Sequence, residues 1–326
     1  MKAVVIQQYG GPEQLVLREL PAPEPAPGQV LIEVKAFGLN QAEVYFRQGL
    51  WGDVAPVSGI ECVGVVQADP DGRFKPGQKV MALVGGMGRA FNGSYAEMTR
   101  VPAANVVAVD TALPWQALAA LPESYATAWV CLFDNLALAR GQTLLLRGAT
   151  SALGQAALNL AAHAGVRVIA TTRNPARVAG LQALGAAAVE LEGADLGKRV
   201  RARHPEGVDA VLELVGNTTL IDSLAATRSR GRVCIAGFLG GGEPIEGFNP
   251  ILHLPSGVHL SFFGSAFVLG SAQYPLSAIP FQQIIERAAD GLYKAEPAAV
   301  FGLDQLPEAH RLLESGLANG KIVVRV

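Results

Sequence analysis

The chain has 326 residues, of which half are hydrophobic and 17% are charged, and its formal net charge at pH 7 is −2. This composition is typical of a folded globular protein and excludes a disordered chain. No dense block of Lys and Arg occurs, which argues against nucleic-acid binding, and the length predicts two domains.

The first ten residues and the cysteines bear on the cellular compartment. "MKAVVIQQYG" has too few apolar residues for a signal peptide, and no later run reaches the roughly 18 uninterrupted apolar residues of a membrane span. Cys62, Cys131 and Cys234 are isolated and odd in number, which favours a reducing compartment. We therefore expect a soluble cytoplasmic protein that does not attach to membranes.

The first 115 or so residues are rich in short β-branched runs that Pro and Gly interrupt, which predicts strands and turns. "ELPAPEPAPGQ" is expected to connect two of these strands, although a polyproline ligand motif remains an alternative. The predicted strands are "KAVVIQ", "QLVLREL", "QVLIEVKAFGL", "GVVQA", "QKVMALV" and "SYAEMTRV".

From about residue 120, apolar strand-like runs alternate with helical ones, as in βαβ units with a buried parallel sheet. Asn174 and Pro175 predict a helix start, and Gly185 predicts its end. Asn217 and Gly231 are expected to bracket another helix, "TTLIDSLAATRSR". The six predicted strands are "TLLLR", "VRVIATT", "AAAVEL", "VDAVLELV", "RVCIAGF" and "VHLSFFG". They indicate a doubly wound sheet.

The chain returns to helical pieces after about residue 265, in "PFQQIIERAADG" and "LPEAHRLLESG". The final strand, "GKIVVRV", either rejoins the first domain or stands apart, and the sequence leaves both arrangements open.

"GATSALG" follows the first of these six strands and resembles a dinucleotide-binding turn with one glycine replaced. Gly148 and Gly154 provide the tight turn and the close helix packing, while Ser151 stands where another glycine is usual. Small side chains and the N-terminal N–H groups of the next helix still suit a pyrophosphate. A plain structural turn is the alternative. The predicted cofactor contacts here are Gly148, Thr150, Ser151, Ala152, Leu153 and Gly154.

"TTRNPAR" follows the second strand, where an NAD site usually carries Asp or Glu for the ribose hydroxyls. No carboxylate occurs between Val166 and Val189. Thr171, Thr172, Arg173 and Arg177 instead offer hydroxyl and guanidinium donors for a 2′-phosphate, and the two arginines, four apart, can share one helix face. This pattern predicts NADPH as the cofactor, with two solvated surface arginines as the alternative.

Two later strands end in glycine turns that are expected to line the cofactor crevice. Val215 precedes Gly216 in the first turn, and Gly237 precedes Phe238 in the second. The carboxyl ends of parallel strands form this crevice, so we predict that Val215, Gly237 and Phe238 contact the cofactor. Ordinary loop geometry remains open. "FFGSAF" at 262–267 is expected either to border the substrate or to pack in a core.

Nearly the whole chain resembles the medium-chain dehydrogenase/reductase superfamily, and within it the zinc-independent quinone oxidoreductase branch. The resemblance is carried, among others, by "SGIECVGVV", "GQKVMAL", "GSYAEM", "LPESYATAWVCLFD", "GATSALGQAALNLA" and "GKIVVRV". It implies an α/β protein with a GroES-like β-rich catalytic domain at 1–118, completed by about 266–326, and a Rossmann NADPH-binding domain at 119–265. It also implies a homodimer.

The zinc ligands of the metal-dependent relatives are missing at the matching positions. Asn40 stands in place of a Cys ligand, Ile60 in place of His, and the third region offers Glu123. Zn²⁺ needs three or four N, S or O donors in tetrahedral geometry. The five histidines are scattered without ligand spacing, so no metal is expected.

The resemblance points to Asn40, Tyr45 and Thr127 as residues near the nicotinamide and the substrate. Asn40 would hydrogen-bond a carbonyl, Tyr45 would donate to a developing oxyanion, and Thr127 would anchor the nicotinamide side. A turn residue, a core aromatic and a buried hydroxyl are the respective alternatives. Relatives that reduce acyl thioesters often have a tyrosine where this chain has Trp51, which disfavours that activity.

These observations together predict an NADPH-dependent, zinc-independent oxidoreductase that transfers hydride to a small apolar acceptor, either a quinone or an α,β-unsaturated carbonyl. An enoyl-thioester or 2-alkenal reductase is a second hypothesis. A non-catalytic NADPH-binding sensor or a nucleic-acid-binding protein is a third, and the near-neutral charge argues against nucleic acid as the ligand.

Overall fold

A computed structural model describes residues 1–326 and divides them into two compact units. The first unit comprises Met1–Ala126 and Ser265–Val326, and the second comprises Thr127–Gly264. No helix is long and apolar enough to cross a membrane. The domain boundaries at 118 and 265 drawn from the resemblance stay a prediction.

The strands and helices are numbered in chain order. The strands are β1 (Lys2–Ile6), β2 (Leu15–Glu19), β3 (Gln29–Gly38), β4 (Glu61–Ala68), β5 (Lys79–Leu83), β6 (Met98–Pro102), β7 (Val106–Ala108), β8 (Thr143–Arg147), β9 (Arg167–Thr172), β10 (Ala188–Leu191), β11 (Val208–Glu213), β12 (Thr227–Ile235), β13 (His259–Phe262), β14 (Ala299–Gly302) and β15 (Ile322–Arg325). The helices are α1 (Gln41–Gln48), α2 (Trp115–Leu118), α3 (Pro122–Trp129), α4 (Ala152–His163), α5 (Val178–Ala183), α6 (Leu196–Arg203), α7 (Leu220–Ala226), α8 (Pro250–His253), α9 (Ser265–Val268), α10 (Phe281–Ala289) and α11 (Leu306–Ser315).

The first unit is built on a seven-stranded sheet with β3 near its centre. Its strand order is β14-β15-β3-β4-β5-β7, and β6 also pairs with β3. The long strand β3 is almost continuously buried because it has neighbours along both edges and a core against it. Strand β15 pairs antiparallel with β3, with Val323 opposite Gly38. The C-terminal strand therefore completes the first unit, which the sequence left open.

The second unit contains a six-stranded parallel sheet in the order β10-β9-β8-β11-β12-β13. The central strands β8 and β11 are almost entirely buried, with Leu144–Leu146 and Ala210–Leu212 as their apolar centres, because helices cover both faces of such a sheet. Leu145, Val211 and Val233 are completely buried in its core. The predicted doubly wound sheet is confirmed, and the carboxyl ends of β8 and β11 lie at the point where the strand order reverses.

The helix expected between Asn217 and Gly231 is shorter than predicted. Helix α7 ends at Ala226, and Thr227 begins strand β12. Thr227 pairs with Val208 of β11, and Arg228 donates to Asp209 at 2.8 Å. The backbone of β12 pairs with β11 at Thr227 and again from Arg232 onward, with an irregular register between them, and such tertiary pairing overrides local helix preference.

The helix start at Asn174 is present, as the sequence predicts. Asn174 Oδ1 accepts the N–H of Ala176 at 2.9 Å, and a 3₁₀ turn at Pro175–Arg177 leads into α5. Gly185 ends this segment with φ of +106°, a conformation that favours glycine.

Candidate functional site

The turn from β8 into α4 is closed so tightly that it requires two of its glycines. Gly148 has φ of +78°. A Cβ added to Gly154 would lie 2.4 Å from the carbonyl oxygen of Gly148 and 2.7 Å from the Cα of Ala149. Only hydrogen fits there, so the helix approaches the strand as closely as a dinucleotide site needs.

The Ser151 hydroxyl caps helix α4. Its Oγ donates to the Gly148 carbonyl at 2.9 Å and accepts the N–H of Gly154 at 3.0 Å. Ala152 and Leu153 form the first turn of the helix, where N–H groups have no intrahelical acceptor. The turn at the N-terminus of α4 fits a pyrophosphate, which those N–H groups and the helix dipole would bind. Thr150 contributes its carbonyl to Gln155 Nε2.

Three of the predicted 2′-phosphate contacts lie at the end of β9 and in the turn that follows it: Thr172, Arg173 and Arg177. Thr172 is buried, and its Oγ1 accepts the N–H of Asn174 at 3.1 Å. Arg173 is exposed, and its guanidinium forms no hydrogen bond or ion pair within the chain. Arg177 is half-buried in the 3₁₀ turn. Arg173 precedes the Asn174 cap, so the expectation that the two arginines share a helix face is wrong.

Arg147, the last residue of β8, is a functional candidate that sequence reasoning missed. Its buried guanidinium pairs with Glu192 at 2.5 Å and with Asp222 at 2.8 Å. Burial disfavours its charge, but these carboxylates and Glu213 raise its pKa. Glu192 also accepts the Thr171 hydroxyl at 2.6 Å. The Glu192 carboxylate is therefore ion-paired with Arg147, and the Thr171 hydroxyl that sequence alone offered to a phosphate donates to it instead.

Glu213 at the end of β11 shapes the next turn. Its Oε1 accepts the N–H groups of Val215 at 2.8 Å and Gly216 at 3.0 Å, and Oε2 accepts the Ser223 hydroxyl at 2.5 Å. Burial raises the pKa of Glu213. The carboxylate in "LELVGN" was the available sequence signal, because a charge inside a buried apolar run needs a structural reason.

The turns after β11 and β12 lie against each other. A Cβ on Gly216 would be 2.9 Å from the Gly237 carbonyl oxygen, and one on Gly237 would be 2.8 Å from that of Leu214. Phe238 follows directly and stacks obliquely on Phe262. The segments that contain Val215, Gly237 and Phe238 are thus brought together at the carboxyl ends of the parallel strands, the edge where ligands bind in this fold.

In the first unit, the Asn40 amide points into a buried ionic cluster. Its Oδ1 accepts from Lys321 Nζ at 2.6 Å, and its Nδ2 donates to Glu61 Oε1 at 2.9 Å. Asn40 also precedes helix α1 as its cap residue, and its backbone N–H donates to Glu43 at 2.5 Å. The amide is held on both sides, so the predicted contact from Asn40 to a substrate carbonyl stays a prediction.

Glu43, Glu61 and Lys321, which we call the Lys321 cluster, are buried together behind Asn40. Lys321 Nζ lies 2.5 Å from Glu61 Oε1. Burial raises the pKa of Glu43 to about 8, against the opposing effects of Lys321 and of the Ile60 N–H. With Glu43 neutral, the cluster contains one carboxylate and one ammonium, so its charges balance. Sequence reasoning overlooked all three, although Glu61 interrupts an apolar run and Lys321 directly precedes one.

The positions of the zinc ligands in metal-dependent relatives hold groups with other roles. Ile60 has no donor side chain, and Glu123 accepts the Ser265 hydroxyl at 2.9 Å while its N–H donates to Glu61. No group of three or more His, Cys, Asp or Glu is arranged to hold a metal ion. The donor set does not fit Zn²⁺, which takes four ligands and prefers thiolate and imidazole.

Tyr45 belongs to a row of aromatic side chains in the first unit. Its ring stacks on Trp51 with centroids 6.3 Å apart, and Trp51 stacks on Phe267 at 5.2 Å. Burial raises the pKa of the Tyr45 phenol. Of the "FFGSAF" aromatics, Phe263 is buried whereas Phe262 and Phe267 are largely exposed. Thr127 belongs to the second unit and is buried in α3, so the structure does not test its predicted role.

Two family profiles match the chain. Residues 26–111 match the alcohol dehydrogenase GroES-like domain, and residues 152–282 match a family described as zinc-binding dehydrogenase. The fold class expected from the resemblance, a GroES-like domain with a Rossmann-type cofactor domain, is confirmed.

Curated relatives cover the chain to different extents. A quinone oxidoreductase of Sus scrofa is 27% identical over 337 residues, covering 99% of this chain and 97% of the relative. A synaptic vesicle membrane protein VAT-1 homolog of Rattus norvegicus is 29% identical over 245 residues. That alignment covers 73% of this chain but only 59% of the rat protein.

Solved structures match over the full length. A structure described as an NAD-dependent alcohol dehydrogenase is 30% identical with a TM-score of 0.84, covering 100% of both chains. A mycobacterial protein complexed with NADPH is 26% identical with a TM-score of 0.88, also covering 100% of both chains. The two descriptions name different nicotinamide cofactors.

Proposed function

Because the chain belongs to the medium-chain dehydrogenase/reductase superfamily, in the branch that contains the quinone oxidoreductases, we propose that it is an NADPH-dependent oxidoreductase that reduces a quinone or an α,β-unsaturated carbonyl. The observation that carries the proposal is the closed turn at Gly148–Gly154, placed where the strand order reverses. Such a turn at that place is the phosphate site of a dinucleotide fold.

Cofactor binding is assigned to the second unit. The N–H groups of Ala152 and Leu153 would bind the pyrophosphate, while the absent side chains at Gly148 and Gly154 let the backbone approach it. The predicted contacts at Val215, Gly237 and Phe238 stand at the same sheet edge. Ser151 acts here through its cap on α4, since its hydroxyl already has two backbone partners.

The choice of NADPH over NADH rests on residues and not on the relatives' descriptions, which name both. A ribose 2′-phosphate needs cationic donors and no nearby free carboxylate. Arg173 offers an exposed guanidinium with no partner in the chain, and Arg177 follows in the next turn. Glu192, a carboxylate close to this strand end, is ion-paired with Arg147.

The nicotinamide, when bound, supplies the hydride, and the chain supplies orientation and a proton donor. Burial keeps the Tyr45 phenol protonated at neutral pH, so its hydroxyl can donate to an oxyanion that develops on the acceptor. Asn40 would act mainly through the Lys321 cluster that fixes its amide. Thr127 would anchor the nicotinamide side, as the resemblance implies. The zinc-ligand positions hold Asn40, Ile60 and Glu123, so the proposed reaction uses no metal.

Assembly and location form part of the same proposal. Strand β13 is an edge of the parallel sheet and exposes Leu260 and Phe262. Edge strands with unpaired backbone groups commonly pair with another chain, and a homodimer through this edge matches the resemblance. A cytoplasmic location matches three buried free cysteines. Light scattering of the purified protein tests the dimer.

Steady-state kinetics test the activity. NADPH or NADH oxidation is followed with menadione, cinnamaldehyde and crotonyl-CoA as acceptors, with and without phenanthroline. We expect higher kcat/KM with NADPH, turnover of menadione or cinnamaldehyde, and no effect of the chelator. A preference for NADH would overturn the cofactor assignment, and inhibition by the chelator would overturn the metal-free mechanism.

The same panel discriminates the alternatives. Highest kcat/KM with crotonyl-CoA would favour the enoyl-thioester reductase. Cofactor binding without turnover of any acceptor would favour a sensor, and salt-sensitive binding of RNA would favour a nucleic-acid ligand. Trp51, which stands where the thioester reductases often have tyrosine, favours the quinone or enone acceptor.

A further inference from the structure

Arg89 presents a guanidinium that the chain itself does not use for hydrogen bonding. The side chain is half-buried, and its Cζ lies 5.3 Å from the ring centroid of Phe267. It forms no ion pair and no side-chain hydrogen bond. Arg47 and Arg100 of the same unit contrast with it, because their guanidinium groups bind Glu314 and the Glu24 carbonyl.

The backbone around Arg89 is fixed on both sides. Its N–H donates to the Gly86 carbonyl at 3.1 Å, and its carbonyl accepts the N–H of Ala55 at 2.9 Å. Gly86 and Gly88 have φ of +101° and +66°, which shapes the loop between β5 and β6. The cation is therefore presented from a defined position and not from a freely moving loop tip.

Phe267 is the ring on which this cation lies, and it is anchored as well. Ser265, at the start of α9, donates to Glu123 at 2.9 Å. The Phe267 ring is 55% exposed, although Trp51 stacks on it at 5.2 Å with an interplanar angle of 17°. The Tyr45 ring in turn stacks on Trp51. The aromatic row Tyr45–Trp51–Phe267–Arg89 thus has a phenol at one end and a guanidinium at the other.

These contacts define a binding surface with two chemical requirements. The exposed ring of Phe267, next to Trp51 and Tyr45, offers aromatic surface that favours a flat unsaturated ligand. The planar guanidinium over the Phe267 ring offers several N–H donors in a fork that matches a carboxylate, sulfonate or phosphate. Since no group of the chain accepts those N–H bonds, a ligand or water must.

We propose that the aromatic row binds a planar unsaturated acceptor carrying an anionic group, and that Arg89 binds that group. The inference rests on the proposed function in taking the row as the acceptor site. The substrate therefore carries a negative charge, which nothing in the resemblance specifies, and Arg89 is the residue that selects for that charge.

Equilibrium binding tests this without turnover. Naphthoate and its neutral isostere naphthamide are titrated by calorimetry into the full-length protein saturated with NADP⁺. We expect naphthoate to bind about 10-fold tighter, the scale of one charge-assisted hydrogen bond. In Arg89→Met, the affinity for naphthoate should fall to that for naphthamide. The affinity for naphthamide should stay within about twofold of the wild-type value, because only the charge contact is lost.

Three further variants separate charge from folding and stacking. Arg89→Lys should retain part of the preference for naphthoate, because the charge remains without the planar fork. Phe267→Leu should lower the affinity for both naphthoate and naphthamide, since the aromatic surface is lost. Arg18→Met, which removes an exposed arginine bound only to Gln7, should change neither affinity.

Kinetics then distinguish failure of this inference from failure of the proposed function. Menadione and naphthoquinone sulfonate are compared in wild type and Arg89→Met. A selective rise of KM for the sulfonate supports Arg89 as the selecting residue. Equal affinities of naphthoate and naphthamide in the wild type would overturn the inference even if menadione is reduced. A preserved naphthoate preference with no turnover of any acceptor would instead overturn the proposed function alone.

Discussion

Lys321 Nζ lies 2.5 Å from Oε1 of Glu61, with the Lys321 side chain only 4% exposed and that of Glu61 completely buried. The pair joins the last strand, which Lys321 precedes, to the first residue of β4. Removing one partner of a buried ion pair leaves an uncompensated charge, which costs far more than the pair contributes.

We therefore predict that Lys321→Met lowers the free energy of unfolding by about 3–5 kcal/mol, measured by urea denaturation. The added substitution Glu61→Gln should recover part of that loss, because the unpaired charge disappears. A single-variant loss below about 1 kcal/mol would show that Glu61 is solvated or protonated when alone.

The raised pKa of Glu43 predicts a pH-dependent stability. The pKa is 4.5 when unperturbed and about 8 in the folded protein, so folding favours the protonated form. The contribution is complete below pH 4.5 and is lost as pH rises towards 8, with a slope of at most about 1.4 kcal/mol per pH unit. The groups that face this carboxyl are Lys321, Glu61 and the N–H groups of Asn40 and Ile60.

Glu43→Gln should remove this dependence. Urea denaturation of both proteins across that pH range gives the difference in unfolding free energy, which should shift steadily in favour of the variant as pH rises. A constant difference would mean that Glu43 is already ionised in the folded state and paired with Lys321.

Arg173 is expected to decide between the two nicotinamide cofactors. Arg173→Ala should weaken NADPH binding by about 10- to 100-fold, the scale of one or two charge-assisted hydrogen bonds, and leave NADH binding within about twofold. Fluorescence titration measures both. Arg167→Ala, at the opposite end of β9 and also exposed, is the matched control. If Arg173→Ala lowered the affinities for NADPH and NADH equally, the arginine would lie outside the 2′-phosphate site.

The closed turn makes Gly154 intolerant of any side chain. In Gly154→Ala the new Cβ would meet the Gly148 carbonyl oxygen at 2.4 Å, so strand and helix must separate. We expect the free energy of unfolding to fall by about 1–3 kcal/mol, together with weaker NADPH binding.

Gly180→Ala is the control for that substitution, since Gly180 lies within helix α5 and no atom lies within 4 Å of its added Cβ. It should be neutral or stabilising by up to about 1 kcal/mol. Wild-type stability and affinity in Gly154→Ala would contradict the close approach of α4 to β8.

The periodic parts of this chain were predictable because local pattern and tertiary structure agree. "TLLLR" and "VDAVLELV" are buried parallel strands, and "NPAR" begins a helix at Asn174. The predicted helix beyond Ala226 was wrong because β12 pairs with β11 there, and pairing between distant segments leaves no periodic mark in a short polar stretch.

The sequence by itself determined the strands of the doubly wound sheet and the glycine turn, since each depends on residue types within one short segment. Only the tertiary structure decided which distant charges meet: Lys321 with Glu61, Arg147 with Glu192 and Asp222, and Arg89 with the ring of Phe267. Side-chain partners far apart in the chain are set by how strands and loops fold together, and spacing along the sequence carries no record of that geometry.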